Sequence, residues 1–269
     1  MQPLSGMPIN RPFVLTLSGH DPSGGAGIQA DLEAIISHQC RPVSVITALT
    51  AQDTHNVSKL IPQLPQDILQ QANLLMADVP VKVFKIGLLG HVETVKTIYT
   101  FLQQFPDIPA VFDPVLAAGG GQNLANNALI NAINEWLLAK VTVLTPNSLE
   151  ARKLTGLNYI HDCGVQLSKS GCRYVLITGA HEDSAEVINQ LYHDGDCIQR
   201  YTWPRLPHSY HGSGCTLAAS IAALMARGLT VLDAIAEAQQ YTWNALSSGF
   251  QPGKGQYLPD RFFWLNQQC

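Results

Sequence analysis

Residues 13–31 read FVLTLSGHDPSGGAGIQAD and join an apolar run, a glycine-rich turn and the first part of a helical pattern. The apolar run Phe13 to Ser18 predicts a buried strand, and Ile28 to His38 has apolar residues at helical spacing. A strand that turns directly into a helix is the repeating unit of parallel sheets covered by helices. This stretch therefore predicts an α/β fold.

The same alternation continues along the chain. Further strand-like runs are Val43 to Leu49, Val81 to Ile86, Ala110 to Phe112, Val141 to Leu144 and Tyr174 to Thr178. Helical patterns cover Pro65 to Ala77, Val92 to Phe105, Asn126 to Leu138 and Ser148 to Leu154. We therefore expect a three-layer α/β/α fold with a central, mostly parallel sheet.

The pattern changes in the last third of the sequence. Val187 to His193 and Ile198 to Trp203 flank Asp194-Gly195-Asp196, which is typical of an antiparallel hairpin. Two long helices are expected to follow, over about residues 216–227 and 231–247.

Composition indicates a single globular unit. The chain has 269 residues, of which 46% are hydrophobic and 13% are charged, enough to bury a large core. No repeat or linker divides it. We expect one domain over residues 13–269, preceded by a poorly ordered extension of residues 1–12.

Charge and hydropathy argue against two kinds of partner. The net charge is −4 and no Lys/Arg cluster occurs, which argues against nucleic acid binding. No apolar run approaches the roughly 18 residues of a membrane span, and the N-terminal residues lack a signal-peptide pattern. The six cysteines form no CxxC pair and indicate reduced thiols, so a cytoplasmic protein is expected.

The segment His211-Gly212-Ser213-Gly214-Cys215-Thr216 precedes a strongly helical run. Free N–H groups and the positive end of a helix dipole attract phosphate, and glycines let the main chain approach it closely. Cys215 is expected where a thiol becomes acidic, with a small buried helix-start residue as the alternative. Walker A requires GK[ST], which is absent here.

The loop Gly19 to Gly27 does not fit the dinucleotide fingerprint, because Ala30 stands where its third glycine would fall. An ordinary turn and a ligand-binding loop both remain open, and Asp31 within the following helix favours a polar ligand. Gln52, where the next strand ends, offers a donor and an acceptor that suit the edge of an aminopyrimidine. A glutamine in a loop is more often merely solvated.

Two further strand ends carry acidic residues. Asp113-Pro114 precedes the flexible Ala117-Ala118-Gly119-Gly120-Gly121, and fits either a site for a metal-bound water or a common Asp-Pro turn. In Thr145-Pro146-Asn147-Ser148-Leu149-Glu150, Asn147 and Glu150 have the spacing of a capping box. The same two residues also suit magnesium and water around a nucleotide, and spacing does not separate the two interpretations.

Taken together, these motifs resemble those of the hydroxymethylpyrimidine/phosphomethylpyrimidine kinases, the thiamin-pathway members of the ribokinase superfamily. The motifs that carry the resemblance follow in order along the chain: Gly19 to Asp31, Val45 to Gln52, Lys85 to Gly87, Asp113 to Val115, Thr145 to Glu150 and His211 to Leu217. The resemblance implies a ribokinase-like fold, a homodimer and ATP-dependent phosphorylation of the hydroxymethyl group of 4-amino-5-hydroxymethyl-2-methylpyrimidine. It leaves open a second transfer onto the monophosphate.

The resemblance also implies roles for individual residues. Cys215 would take the proton of the substrate hydroxyl, where sugar kinases of the superfamily use aspartate, and the amides around Gly212, Ser213 and Gly214 would hold the transferred phosphoryl group. The remaining roles are pyrimidine binding by Gln52, Asp31, Gly19 and Leu88, ATP binding by Asn147, Thr178 and Lys254, and magnesium binding by Asp113 and Glu150.

Three departures from the family pattern accompany the resemblance. Thr178 stands where many members have a lysine, residues 117–121 lack the lysine or hydroxyls often found there, and His20 replaces threonine or serine. Lys254 is the candidate for the missing charge, and the second transfer is the step most affected. The alternatives are a pyridoxal or pyridoxine kinase and a weakly catalytic pyrimidine-binding protein. Residues 50–60 are the candidate for a mobile cover over the substrate.

Overall fold

The computed structural model describes residues 11–119, 121–122 and 124–268, so most of the expected N-terminal extension and Gly120 lie outside the described residues. The strands are β1 Phe13–His20, β2 Arg41–Gln52, β3 Val57–Pro62, β4 Val81–Ile86, β5 Ala110–Phe112, β6 Val143–Leu144, β7 Tyr174–Ile177, β8 Glu186–His193 and β9 Asp196–Pro204. They form a nine-stranded sheet in the order β3-β2-β1-β4-β5-β6-β7-β8-β9.

Most of the sheet is parallel. The six central strands β2, β1, β4, β5, β6 and β7 run parallel, whereas β3 at one edge and the β8–β9 hairpin at the other pair antiparallel. Asp194 and Gly195, both with positive φ, form the two-residue turn of that hairpin. The prediction of a mostly parallel sheet is confirmed, as is the predicted hairpin.

Helices cover both faces of the sheet. Their bounds are α1 Gly27–Ser37, α2 Pro65–Asp78, α3 Val92–Gln104, α4 Asn127–Ala132, α5 Ser148–Thr155, α6 Ile160–Lys169, α7 Ser213–Ala226 and α8 Val231–Ser247. One apolar core lies between the sheet and α2 to α6, and a second lies between the sheet and α1, α7 and α8. The expected three layers are therefore present.

Helix α7 lies deepest in its layer. It consists largely of small and aliphatic residues, and four of them expose no surface: Ala218, Ala219, Ile221 and Ala222. A helix that is apolar on every side is stable only when it is buried on every side. The N-terminus of α7 is therefore fixed in the middle of the molecule.

Three local predictions differ from the structure. Residues 50–60 were expected to form a mobile cover, but residues 57–62 form β3. This strand pairs antiparallel with β2 after a turn over residues 53–56. The single helix expected over 126–138 is divided into α4, a π-helical turn Ile133–Leu137 and a short 3-10 turn Leu138–Lys140. Helix α6 was not predicted.

No helix among the described residues has the length and apolar character to cross a membrane.

Candidate active site

The carboxyl ends of the six parallel strands meet at one edge of the sheet, where ligands bind in open α/β folds. The glycine-rich loop follows β1, Gln52 ends β2, Asp113 follows β5, Asn147 follows β6 and Thr178 follows β7. The topology thus brings the predicted loops to the same edge. The N-terminus of α7 reaches it from the helical layer.

The segment predicted to hold phosphate, residues 211–216 and called the phosphate seat below, lies where α7 begins. Gly212 precedes the helix with φ +84°, and its carbonyl accepts hydrogen bonds from the N–H of Thr216 at 3.0 Å and the hydroxyl of Thr216 at 2.8 Å. In a planar trans peptide the carbonyl and the following N–H point in opposite directions. The N–H of Ser213 therefore points away from the helix, as the first N–H groups of a helix do when they bind anions.

Glycine is required at position 212 by a close approach of two loops. A Cβ atom there would lie 1.9 Å from the carbonyl oxygen of Gly25, and one at Gly214 would lie 3.3 Å from a carboxylate oxygen of Asp113. The seat is thus enclosed by the β1 loop and the loop after β5.

Cys215 lies in the first turn of α7 and is 8% exposed. Its thiol hydrogen-bonds to the carboxylate of Asp113. Burial raises the pKa of Cys215 to about 12, although the nearby charge of Lys85 acts to lower it. The expectation of an acidic thiol is wrong for the protein without ligands, because the loss of solvent outweighs the nearby positive charge.

Asp31 and Lys85 form a buried ion pair beneath the seat. The Lys85 Nζ lies 2.7 Å from Oδ1 of Asp31, both side chains are 0% exposed, and Thr16 donates its hydroxyl to Oδ2. Lys85 also donates to Ser18 at 3.0 Å. Burial alone would lower the pKa of Lys85, but Asp31, Cys215 and Asp113 together outweigh burial and raise that pKa, so Lys85 stays protonated.

This pair corrects the expected role of Asp31. A fully buried carboxylate held by Lys85 and Thr16 presents no oxygen to a pyrimidine. The sequence contained a signal for this, because Asp31 lies at helical spacing from the buried Ile28, Ala34 and Ile35. Asp31 supports the site from below instead of lining it.

Gln52 belongs to a polar group on the other side of the seat. Its Nε2 lies 3.4 Å from Nε2 of His211, and that same ring nitrogen lies 2.8 Å from Oδ2 of Asp21. Asp21 also accepts from Ser23 and from the N–H of Ala26. Burial would raise the pKa of Asp21, but the hydrogen bonds from His211 and Ser23 outweigh burial and lower it.

The pairing of Asp21 with His211 was not predicted. Both residues stand in the glycine-rich segments singled out in the sequence, and both segments were expected near one edge of the sheet. This shared location is the sequence feature that could have indicated the contact between Asp21 and His211. Gly19 and Leu88 lie in contact below this group, since a Cβ atom on Gly19 would come within 2.9 Å of the Leu88 side chain.

The space between these residues is narrow. A cavity of about 10 Å³ is lined by Gln52, residues 53–57, Gly119, His211 and Gln256, which is far too small for a pyrimidine ring. Residues 253–256 lie across it, and Gly255 and Gln256 donate their N–H groups to the hydroxyl and carbonyl of Thr54. These contacts close the space between Gln52 and His211.

Asp113 and Glu150 are buried carboxylates that repel each other. Burial raises the pKa of Asp113 to about 6, with Lys85 opposing the rise, and raises that of Glu150 to about 8, with the charge of Asp113 adding to the rise. A divalent cation would relieve this repulsion, and carboxylate oxygens are the ligands that Mg²⁺ prefers. The donor set fits magnesium. Among the described residues, no group of three or more potential ligands is clustered.

Glu150 also completes the predicted capping box. Its Oε2 accepts the N–H of Asn147 at 2.9 Å, while the Asn147 side chain accepts the N–H of Glu150 at 3.0 Å. Oε1 accepts the N–H of Leu116 at 3.2 Å, which ties α5 to the loop after β5. Each carboxylate oxygen holds one donor and keeps a second lone pair, so the capping and metal interpretations are compatible.

The residues expected to bind ATP are separated by the structure. Asn147 and Thr178 are paired neighbours at the ends of β6 and β7. Lys254 is exposed on the segment that packs on Thr54, at the end of the sheet where β2 and β3 lie. Strands β2 and β7 are five sheet positions apart, about 24 Å. Lys254 thus does not replace a cation beside Thr178.

The comparison with known proteins gives the family. The family model described as phosphomethylpyrimidine kinase matches residues 21–260. This chain belongs to that family. The prediction made from its motifs is confirmed.

Individual relatives agree with the family assignment. The chain is 34% identical to the hydroxymethylpyrimidine/phosphomethylpyrimidine kinase of Streptomyces coelicolor over 92% of its own length and 93% of the relative's. It is 36% identical to the thiamine biosynthesis bifunctional protein ThiED of Geobacter sulfurreducens over 92% of its own length. It spans about half the length of that bifunctional relative, 52%.

Solved structures share the fold. The pyridoxal kinase of Staphylococcus aureus in complex with AMP-PCP and pyridoxal aligns with a TM-score of 0.85 at 27% identity, covering 95% of each chain. The phosphomethylpyrimidine kinase of Clostridium difficile aligns with a TM-score of 0.77 at 28% identity, covering 88% of this chain and 100% of that one. The ribokinase-like fold is confirmed.

The buried pair generates a prediction about stability. Substitution K85M leaves the buried carboxylate of Asp31 without its cation, so the free energy of unfolding should fall by about 3–5 kcal/mol. The double variant D31N/K85M should lose less free energy of unfolding than K85M alone, because it leaves no buried carboxylate without its cation. Urea unfolding followed by circular dichroism measures both values.

The control for this pair is K96M, which breaks the exposed 2.9 Å ion pair between Lys96 and Glu93. It should change the free energy of unfolding by less than about 1 kcal/mol. The single variant D31N is measured in the same way. If the double variant lost as much free energy of unfolding as D31N and K85M lose in sum, the two buried groups would not stabilise each other.

Proposed function

We propose that this protein is an ATP-dependent kinase that phosphorylates the hydroxymethyl group of 4-amino-5-hydroxymethyl-2-methylpyrimidine in thiamin biosynthesis. The observation that carries the proposal is the contact between Gln52 and His211, at 3.4 Å. His211 is followed directly by the phosphate seat at Gly212, so a group able to bind a ring edge stands beside a group able to hold a phosphoryl. A pyrimidine with a hydroxymethyl substituent matches that pairing.

In the proposed reaction the substrate oxygen attacks the γ-phosphorus of ATP, and ADP leaves. The N–H groups of Ser213 and Gly214 hold the transferred phosphoryl group, because positioning and charge stabilisation account for most of the catalysis in such transfers. The hydroxyl proton passes to Sγ of Cys215. Since that thiol is itself protonated, its own proton moves to the carboxylate of Asp113.

Magnesium forms part of the proposal. Asp113 would hold it through the carboxylate oxygen that does not accept the proton, Glu150 would supply the second carboxylate, and the ion would neutralise the phosphate charge when bound. Asn147 and Thr178, at the neighbouring strand ends, would contact the nucleotide. We further propose that the enzyme acts in the cytoplasm as a homodimer, as the family resemblance implies.

Pyridoxal kinase is the second candidate, because the S. aureus pyridoxal kinase with bound pyridoxal superposes over 95% of this chain. Its substrate also carries a hydroxymethyl group on a heteroaromatic ring. The amide of Gln52 favours the pyrimidine, since it offers a donor and an acceptor to the adjacent amino group and ring nitrogen.

Product identification tests the substrate. We expect ATP and the hydroxymethylpyrimidine to give the monophosphate, with a higher kcat/KM than pyridoxal. Diphosphate should appear more slowly, because Thr178 supplies no charge for a second phosphate. Chromatography with mass detection measures all products. ATP consumption with pyridoxal alone would reject the pyrimidine assignment, and pyrimidine binding without any product would indicate a binding protein.

Substitution C215S tests the proton acceptor. We expect kcat to fall by about 100-fold or more, because a serine hydroxyl releases its own proton to Asp113 far less readily than a thiol does, while the Kd for the pyrimidine changes less than about twofold. Steady-state kinetics and calorimetry supply the two values. Substitution C197S, on β9 and away from the site, is the matched control and should keep wild-type kcat. Equal kcat in both variants would remove Cys215 from the reaction.

A further inference from the structure

Arg261 is a buried arginine whose side chain joins three parts of the active-site edge. It is 2% exposed. Its Nε donates to the hydroxyl of Thr216 at 2.8 Å, its Nη1 to Oε2 of Glu33 at 2.9 Å and its Nη2 to the carbonyl of Gly25. One guanidinium thus connects α7, α1 and the loop after β1.

The contact with Thr216 bears on the phosphate seat. The same hydroxyl that accepts from Arg261 donates to the carbonyl of Gly212 at 2.8 Å. With its acceptor lone pair on Arg261, the hydroxyl must direct its hydrogen at Gly212. Together with the N–H of Thr216, which donates to the same carbonyl at 3.0 Å, the hydroxyl fixes the plane of the peptide between Gly212 and Ser213, and with it the direction of the Ser213 N–H.

The contact with Gly25 bears on the other wall of the seat. A Cβ atom on Gly212 would collide with the carbonyl oxygen of Gly25. The same Cβ atom would also lie 2.9 Å from Nη2 of Arg261. Across the peptide, the N–H of Ala26 donates to Asp21 at 2.9 Å. Arg261 and Asp21 therefore hold this peptide from both sides.

The position of Arg261 is itself fixed. Its carbonyl accepts the hydroxyls of Ser37 and Tyr241, each at 2.7 Å. A planar guanidinium with five donors can serve three acceptors at fixed angles, whereas a lysine ammonium on a flexible chain cannot reproduce that geometry.

We propose that Arg261 is the positioning residue that directs the phosphoryl-binding N–H groups of the α7 N-terminus. The role rests on the proposed kinase function and deepens it. Arg261 touches no substrate. It acts through Thr216 and Gly25, so its loss should impair phosphoryl transfer and γ-phosphate binding while leaving pyrimidine binding to Gln52 unchanged.

The test compares R261K, R261M and E33Q in the full chain. R261K keeps the positive charge but loses the planar set of guanidinium donors, and R261M loses both. E33Q removes only the negative charge of the outer ion-pair partner, whose side chain is 40% exposed. Each preparation is titrated with the pyrimidine, so that kcat is expressed per binding site and unfolded protein does not count. The Kd for AMP-PCP is measured by calorimetry.

We expect kcat per site to fall about 10-fold to 100-fold in R261K and further in R261M, because small misplacements of catalytic groups cost that much. The Kd for AMP-PCP should rise about 10-fold in R261K, the pyrimidine Kd should stay within about twofold, and E33Q should match wild type. R261K indistinguishable from E33Q in both kcat and AMP-PCP affinity would overturn the proposal, even if R261M fails to fold.

These outcomes are separable from failure of the kinase proposal. The wild-type product assay decides the substrate, and the AMP-PCP affinity of R261K against E33Q decides the role of Arg261 without any turnover. Suppose that the wild type is inactive on the pyrimidine and that AMP-PCP binding is weakened in R261K but not in E33Q. This result would reject the proposed substrate and support the role of Arg261.

Discussion

The site depends on the contact between two main-chain segments, the carbonyl of Gly25 and the Cα of Gly212, which leaves no room for a side chain. Two loops that are distant in sequence must meet here at backbone distance. The central burial of α7 makes this possible, because a helix that is apolar on all sides places its N-terminus among the strand ends. The N–H groups left unpaired there then face a seat enclosed by the two loops.

Beneath this seat the protein keeps charges that water does not reach. Lys85 lies between the carboxylates of Asp31 and Asp113, and its pairing with Asp31 offsets the cost of burying both groups. The pair leaves positive charge near Cys215 and Asp113 without exposing a flexible lysine at the surface. A rigid buried cation of this kind would suit the phosphate binding that the proposed function requires.

The layers, the parallel sheet and the family could be predicted from sequence, because the alternation that starts with Phe13–His20 and the glycine-rich motifs are local patterns. Helix α6 was missed although it is amphipathic, because it is short and contains Gly164, a poor helix former. Strand β3 was missed because most of its side chains are exposed, so it shows no apolar alternation. The thiol of Cys215 was misjudged because its pKa depends on burial, which spacing does not report. Arg261 had no local signal, because its partners Gly25 and Glu33 lie more than 200 residues away in sequence.

That sequence separation has a consequence for the synthesis of the chain. The β1 loop is synthesised before α7, and Arg261, which donates to its Gly25 carbonyl, follows 236 positions after that glycine. Contacts of such long range form late, since closing the loop costs entropy before the contact repays it. A nascent chain that has already formed its first parallel strands but does not yet include Arg261 thus lacks a contact that orders the loop around Gly25.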